Sequence, residues 1–160
     1  MTILNIETST SCCSAALTIE GKVVAHRENL SGANHASELP VFIEQLLAEA
    51  KTNDWRLDAV ALSEGPGSYT GLRIGASTAK GICYGLNIPL IPIDTLQILC
   101  AAAQAKLNIQ KEDALLCPMI DARRMEVYTA LYPSNTLLRL GEIEAKIIDS
   151  DAFMEPLAQQ

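Results

Sequence analysis

The chain has 160 residues, of which 49% are apolar and 19% are charged. This composition argues against an intrinsically disordered chain and fits one globular domain or a large piece of one. Its 12 basic and 19 acidic side chains give a formal net charge of −7, which argues against stand-alone binding of nucleic acid, because contact with phosphates requires a cationic surface.

Three antiparallel strands are predicted at the start of the chain. The apolar stretch at residues 2–7 is typical of a buried strand, and residues 12–19 and 22–29 continue with strand-forming side chains. A polar turn at residues 8–11 joins the first two strands, and the Glu20-Gly21 pair predicts a tight hairpin before the third.

A helix is predicted over residues 35–51, after a loop of small and polar side chains. Apolar residues recur there at i, i+3, i+4, i+7, i+8 and i+11, which places them on one stripe about 140° wide. The stripe consists of Leu39, Phe42, Ile43, Leu46, Leu47 and Ala50. We expect this helix to pack against a core.

The next elements are a strand over residues 57–63, a glycine-rich turn at 64–69 and a second helix over 70–86, which Pro89 ends. A short strand at residues 90–93 and a third helix reaching about residue 106 follow.

The second helix is apolar almost all round. Between Glu64 and Asp94 its only charges are Arg73 and Lys80, which share a narrow strip with Ser77 and Tyr84. A surface helix needs only one apolar stripe, so this helix is either buried inside the fold or placed at an interface. The pattern alone favours neither alternative.

An internal repeat is predicted in the last third of the chain. A strand over residues 114–120 leads to Asp121, a turn at 122–124 and a returning strand over 125–132. The first two strands have the same arrangement around Glu7, about 114 residues earlier. Two strand–acid–turn–strand units are typical of a duplicated α/β fold.

Neither a signal peptide nor a membrane span is predicted. The first residues lack a basic segment, and no apolar run approaches the ~18 residues that a spanning helix requires. The five cysteines are an odd number without a Cys-x-x-Cys pair, which favours reduced thiols in a cytoplasmic protein.

Three blocks of sequence resemble the TsaB (YeaZ) family. They are ILNIETST at residues 3–10, SEGPGSYTGLRIG at residues 63–75, and DARRMEVY at residues 121–128. The blocks occur in the family's order and near its spacing, and the glycine-rich block is the most specific of the three.

The resemblance implies an α/β fold of the duplicated actin, sugar-kinase and chaperone-ATPase class. We expect residues 1–106 to form a complete N-terminal lobe of this actin-like fold with interface helices, and residues 107–160 to begin a second, similar lobe. That second lobe is expected to be truncated, with residues 149–160 starting a helix.

The resemblance also implies a function in tRNA modification. TsaB-like proteins are non-catalytic subunits that bind and activate TsaD, a paralogue that holds a metal and the active site. With the ATPase TsaE, they attach threonylcarbamoyl to an adenosine next to the anticodon of tRNA. We therefore expect this chain to bind no cofactor by itself, ATP to be used by the complex, and tRNA to be reached only through the complex.

Two kinds of site residue follow from the resemblance. Remnants of phosphate-binding loops are expected at Glu7, Thr8, Ser9, Thr10 and Asp121. A heterodimer with the TsaD-type paralogue is expected through helices 35–51 and 70–86, with a homodimer in isolation as the other association. The expected interface consists of His35, Leu39, Phe42, Leu46, Gly71, Arg73, Gly75, Ala79 and Ile82.

The residues argue against metal and peptidase chemistry. Metal-binding helices place two histidines four apart, but Leu39 stands four residues after His35. No Gly-x-Ser-x-Gly motif is present, and nothing in the sequence brings a histidine and an acid to a serine. An ATPase or kinase of the same fold acting alone is the alternative, because its two acid-ended hairpins would face the phosphates.

Overall fold

The computed structural model of the protein describes residues 1–32, 34–107, 109, 114–149 and 152–153, which belong to two compact units, residues 1–94 and 95–160. The first unit contains β1 (Thr2–Glu7), β2 (Cys13–Ile19), β3 (Lys22–Asn29), α1 (His35–Thr52), β4 (Ala59–Gly65), α2 (Tyr69–Leu86) and β5 (Leu90–Asp94). The second contains α3 (Thr95–Leu107), β6 (Leu115–Leu116), β7 (Met119–Arg123), β8 (Glu126–Pro133) and β9 (Leu140–Ile147). Of the described helices α1, α2 and α3, none has both the length and the hydropathy of a membrane span.

The first unit is built on a five-stranded mixed sheet with the strand order β3-β2-β1-β4-β5. β1, β2 and β3 are antiparallel neighbours as predicted, whereas β4 and β5 run parallel to β1. Burial alternates along β1 and β2, so every second side chain faces the core. α1 and α2 cover that face, and α1 buries Leu39, Ile43, Leu46 and Ala50 from its predicted stripe.

The backbone of α2 lies directly against the turn between β1 and β2. A Cβ atom at Gly71 would overlap the carbonyl oxygen of Thr8, and one at Gly75 would overlap the Thr8 hydroxyl. A Cβ at Gly67, just before the helix, would overlap the carbonyl of Ser9. Three glycines at four-residue intervals therefore leave the space that residues 8 and 9 occupy, and a side chain of any size on these glycines would fill it. We call this close contact the seat of α2.

The second unit is an antiparallel sheet packed on α3. β8 pairs with β6 and β7, which together correspond to the strand predicted before it. It also pairs with β9, which the sequence analysis did not predict. Leu96 and Cys100 of α3 pack with Ala130 and Tyr132 of β8. α3 therefore belongs to the second unit, whereas the predicted boundary after residue 106 would assign it to the first.

The strand predicted over residues 114–120 is divided into β6 and β7. Pro118 lies at the break, where it lacks the N–H that a continuous ladder would use. Its carbonyl accepts a hydrogen bond from the Thr129 hydroxyl at 2.9 Å instead. The helix start predicted over residues 149–160 falls mostly outside the described residues.

The turn between β7 and β8 has an uncommon backbone. Arg123, Arg124 and Met125 have φ values of 69°, 55° and 66°, so three consecutive residues other than glycine are in the left-handed region. The left-handed conformation costs about 1–2 kcal/mol for a residue with a Cβ atom. This turn therefore retains three large side chains at the expense of stability.

The seat of α2 predicts opposite effects for one substitution at two positions of the same helix. Gly71→Ala should lower the free energy of unfolding by about 1–3 kcal/mol, because the added methyl group displaces the turn. Gly81→Ala should raise it by up to about 1 kcal/mol, because a Cβ at Gly81 meets nothing within 4 Å and alanine favours a helix interior. Urea unfolding of both variants measures this difference. Equal changes in the free energy of unfolding for the two variants would contradict the close contact between α2 and the turn.

Candidate functional site

The acid at the end of β1 fixes the following turn. One oxygen of Glu7, Oε1, accepts a hydrogen bond from the Ser9 N–H at 2.6 Å and another from the Ser63 hydroxyl at 3.0 Å. Glu7 and Ser63 lie near the carboxyl ends of the parallel neighbours β1 and β4. In open α/β sheets this edge is where ligands commonly bind.

Both helices also hold the turn between β1 and β2. The Ser68 N–H at the start of α2 donates to the Ser9 carbonyl at 2.6 Å. From the start of α1, His35 Nε2 lies 3.0 Å from the Thr10 carbonyl, and since a carbonyl only accepts, the ring nitrogen donates. His35 Nε2 is therefore engaged with the backbone.

The residues expected as phosphate-loop remnants differ in accessibility. Thr8 and Ser9 are buried, and their hydroxyls have no hydrogen-bond partner among the described residues. Thr10 is exposed. In this conformation two of the three hydroxyls that the resemblance assigns to a phosphate loop face the protein interior.

Asp121, the last expected remnant, lies in the second unit. Its Oδ1 accepts a hydrogen bond from the Arg123 N–H at 2.8 Å. Glu7 makes the same contact with Ser9 in the first unit. In each unit the acid therefore accepts a hydrogen bond from the backbone N–H two residues later, in the turn between two antiparallel strands. This agrees with the predicted repeat.

Five of the nine expected interface residues are buried in the first unit's own interior. They are Leu39, Leu46, Gly71, Gly75 and Ala79. Their assignment to an interface is therefore corrected: the small residues of α2 approach the unit's own sheet and turn. His35, Phe42 and Ile82 are half-buried, and Arg73 is exposed.

The opposite side of α2 faces solvent. We call it the outer face of α2, and it consists of Tyr69, Arg73, Ser77, Lys80, Gly81, Tyr84, Gly85 and Leu86. Tyr84 is 93% exposed and Tyr69 is 75% exposed, with the Arg73 guanidinium 5.2 Å from the Tyr69 ring centre. A Cβ atom at Gly81 or Gly85 would meet no atom within 4 Å outside the adjacent turns of its own helix.

The sequence contained a signal for this face. Arg73, Ser77, Lys80 and Tyr84 form the only charged strip on α2, and charges mark the solvent side of a helix. The small residues beside that strip, such as Gly81, are the ones open to a partner. The glycines on the opposite side were assigned to the interface instead.

The cysteines of the first unit are poorly suited to nucleophilic catalysis. Burial raises the pKa of the Cys13 thiol to about 11, and burial also raises the pKa of the Cys12 and Cys83 thiols. A reactive cysteine requires the opposite shift, because the thiolate is the nucleophile. Within the described ranges, no group of three or more His, Cys, Asp or Glu side chains is placed to hold a metal.

Comparison with known proteins places these features in a family. The family described as "TsaD: tRNA N6-adenosine threonylcarbamoyltransferase" matches residues 23–152. A tRNA threonylcarbamoyladenosine biosynthesis protein TsaB from Haemophilus influenzae is 37% identical over 128 residues, 80% of this chain and 52% of its own. The TsaB protein from Buchnera aphidicola subsp. Schizaphis graminum is 35% identical over 147 residues, 91% of this chain and 68% of its own.

A solved structure gives the same result. The structure of YeaZ from Pseudomonas aeruginosa superposes with a TM-score of 0.78 at 30% identity, over 90% of this chain and 66% of that one. This likeness confirms the predicted α/β fold. The chain spans about half the length of the Haemophilus influenzae relative, 52%, and of a Bacillus subtilis TsaB protein, 55%.

The raised pKa of Cys13 predicts a pH-dependent contribution to stability. The folded state keeps the thiol proton up to about pH 11, whereas an unperturbed thiol loses it near pH 9.0. The contribution is therefore complete below pH 9 and is lost as the pH rises toward 11, by about 2 kcal/mol at pH 10.5. Urea unfolding at pH 8 and pH 10.5 should show a smaller decrease for Cys13→Ala than for the wild type. Cys117→Ala, which retains Cys13, is the control, and equal decreases for all three proteins would refute the assignment.

Proposed function

Because the chain belongs to the TsaB (YeaZ) family, we propose that it is a non-catalytic subunit that binds and activates a TsaD-type paralogue. The proposed reaction is threonylcarbamoylation of the adenosine next to the anticodon in tRNA. Relatives named tRNA threonylcarbamoyladenosine biosynthesis protein support this pathway. The proposed place of action is the cytoplasm.

The outer face of α2 is the observation that carries the proposal. It combines two exposed tyrosines with open glycine positions, so the helix of a partner has room to approach the backbone. Its only charges are positive, on a chain with a net charge of −7. These properties favour a partner helix with apolar and acidic side chains, packed against α1 and α2.

The chemical groups of the first unit support the proposal that this chain is non-catalytic and that its paralogue carries the active site. His35 is hydrogen-bonded to a backbone carbonyl, the cysteine pKa values are raised, and the hydroxyls of Thr8 and Ser9 are buried. In the proposal the paralogue supplies the metal and the active site, a TsaE-type ATPase takes part, and ATP and tRNA act on the complex. In the proposal, a homodimer of the isolated chain would use the same outer face of α2.

The alternative is an ATPase or kinase that acts alone. The two acid-closed hairpins at Glu7 and Asp121 favour it, because such turns bind phosphates in enzymes of this fold class. An enzyme would bind ATP and a metal tightly as a single chain, whereas the proposed subunit would not.

Tyr84→Asp tests the proposed interface. Tyr84 is 93% exposed, so the variant should keep its melting temperature, while its affinity for the TsaD-type paralogue should fall by about 10- to 100-fold, as for a residue central to an interface. Leu30→Asp is the matched control, since Leu30 is 72% exposed and precedes α1. Titration calorimetry measures both affinities. Normal binding by a folded Tyr84→Asp protein would exclude the outer face of α2 as the interface.

The purified chain alone should form no threonylcarbamoyladenosine and should hydrolyse neither peptides nor ATP at an enzyme-like rate. Assays before and after a second purification separate an intrinsic activity from a contaminant. Turnover that persists after repurification, and that Glu7→Gln or Asp121→Asn abolishes, would establish the enzyme alternative.

A further inference from the structure

The turn between β7 and β8 carries a local cationic site. Arg123 and Arg124 are the only adjacent basic residues in the sequence, and both are exposed. In the part of the chain that the structure describes, neither guanidinium forms an ion pair with an acid. We call residues 123–125 the arginine turn.

The backbone of the arginine turn is strained, because none of its residues is of a type that favours the left-handed conformation. All three residues have positive φ, a conformation that hairpin turns normally reserve for glycine, asparagine or aspartate. Large side chains kept at such positions are concentrated at functional sites. A hydrogen bond from the Arg123 N–H to Asp121 Oδ1 orders the backbone that carries the two arginines.

The two hairpins of the repeat differ in this feature. Both are closed by an acid bonded to the backbone two residues later. In the first hairpin the next residues, Thr8 and Ser9, are buried against α2. In the second hairpin the corresponding residues are Ala122, which is half-buried, and Arg123, which is exposed and is followed by the exposed Arg124. The acid-closed turn therefore packs against a helix in the first unit, whereas in the second unit it exposes two cations.

We infer that the arginine turn contacts the phosphodiester backbone of tRNA, an inference that rests on the proposed function. A guanidinium donates two parallel hydrogen bonds to a phosphate, and adjacent arginines suit neighbouring phosphates. Such contacts fix the position of an RNA without reading its sequence. With a net charge of −7 on the chain, the contact adds to binding that a basic partner dominates.

The flanking acids do not neutralise the site by pairing. Asp121 Oδ1 accepts from the Arg123 backbone N–H at 2.8 Å, and Glu126 is half-buried at the start of β8. Asp121 thus orders the backbone of the turn, while the N–H donors of the two guanidinium groups are left for a ligand.

The salt dependence of tRNA binding tests the inference. We would measure tRNA association by the full chain, alone and mixed with the TsaD-type paralogue, between 50 and 200 mM salt. Each phosphate contact contributes about 0.7–0.9 to the slope of log K against log salt. Arg123→Gln with Arg124→Gln should reduce the slope by about 1.5 and weaken binding about tenfold at 50 mM salt. The double substitution to lysine should retain most of the slope.

A charge-matched control separates position from net charge. Lys22→Gln with Arg56→Gln also removes two exposed cations and should leave the slope unchanged. Equal effects of both double variants, an unchanged slope in the arginine variant, or no tRNA binding in any mixture would overturn the inference. Arginine-dependent binding of ATP without an effect on tRNA would overturn it in favour of a free nucleotide.

A third variant separates function from structure. Arg124→Asn should raise the melting temperature by about 2–4 °C, because asparagine tolerates the left-handed conformation, while it weakens tRNA binding. A merely structural arginine would not give this combination. Affinity for the paralogue without RNA tests the proposed function separately, and the arginine variants should leave it unchanged.

Discussion

The structure of the first unit depends on the close approach of α2 to the turn between β1 and β2. Gly67, Gly71 and Gly75 leave the space that Thr8 and Ser9 occupy. The contact fixes the rotation of α2 about its axis, so one side of the helix is interior and the other faces solvent. It also holds the turn in place for the hydrogen bonds of Glu7.

Periodicity was sufficient to predict most elements of the first unit. The strands β1 and β2 show the alternation of a half-buried strand, and the apolar stripe of α1 shows the 3.6-residue period of a helix. The residues at which these elements begin and end depend on nearby turn-forming side chains, and these can be read from a single sequence. β9 was missed although its charged residues alternate with Ile143, Ala145 and Ile147, because the strand begins with Leu140-Gly141 and none of its side chains is fully buried.

The orientation of α2 could not be predicted in the same way. A helix that is apolar on most sides has no periodicity that selects the interior face, and the selection is made by backbone contacts at Gly71 and Gly75 with a turn about sixty residues earlier. Likewise, the positive φ values at residues 123–125 have no signal in the sequence, because arginine and methionine are not typical of that conformation. The two acid-closed turns were predictable from their repeat, whereas their different surroundings were not.

The seat of α2 also links two distant positions in evolution. At positions 8 and 75, the Thr8 hydroxyl occupies the space that a Cβ on residue 75 would need. A larger residue at position 75 therefore becomes acceptable only in a background where residue 8 is already smaller. Covariation between positions 8 and 75 among homologues is the expected trace of this steric dependence, and a substitution harmless in one homologue would be damaging in another.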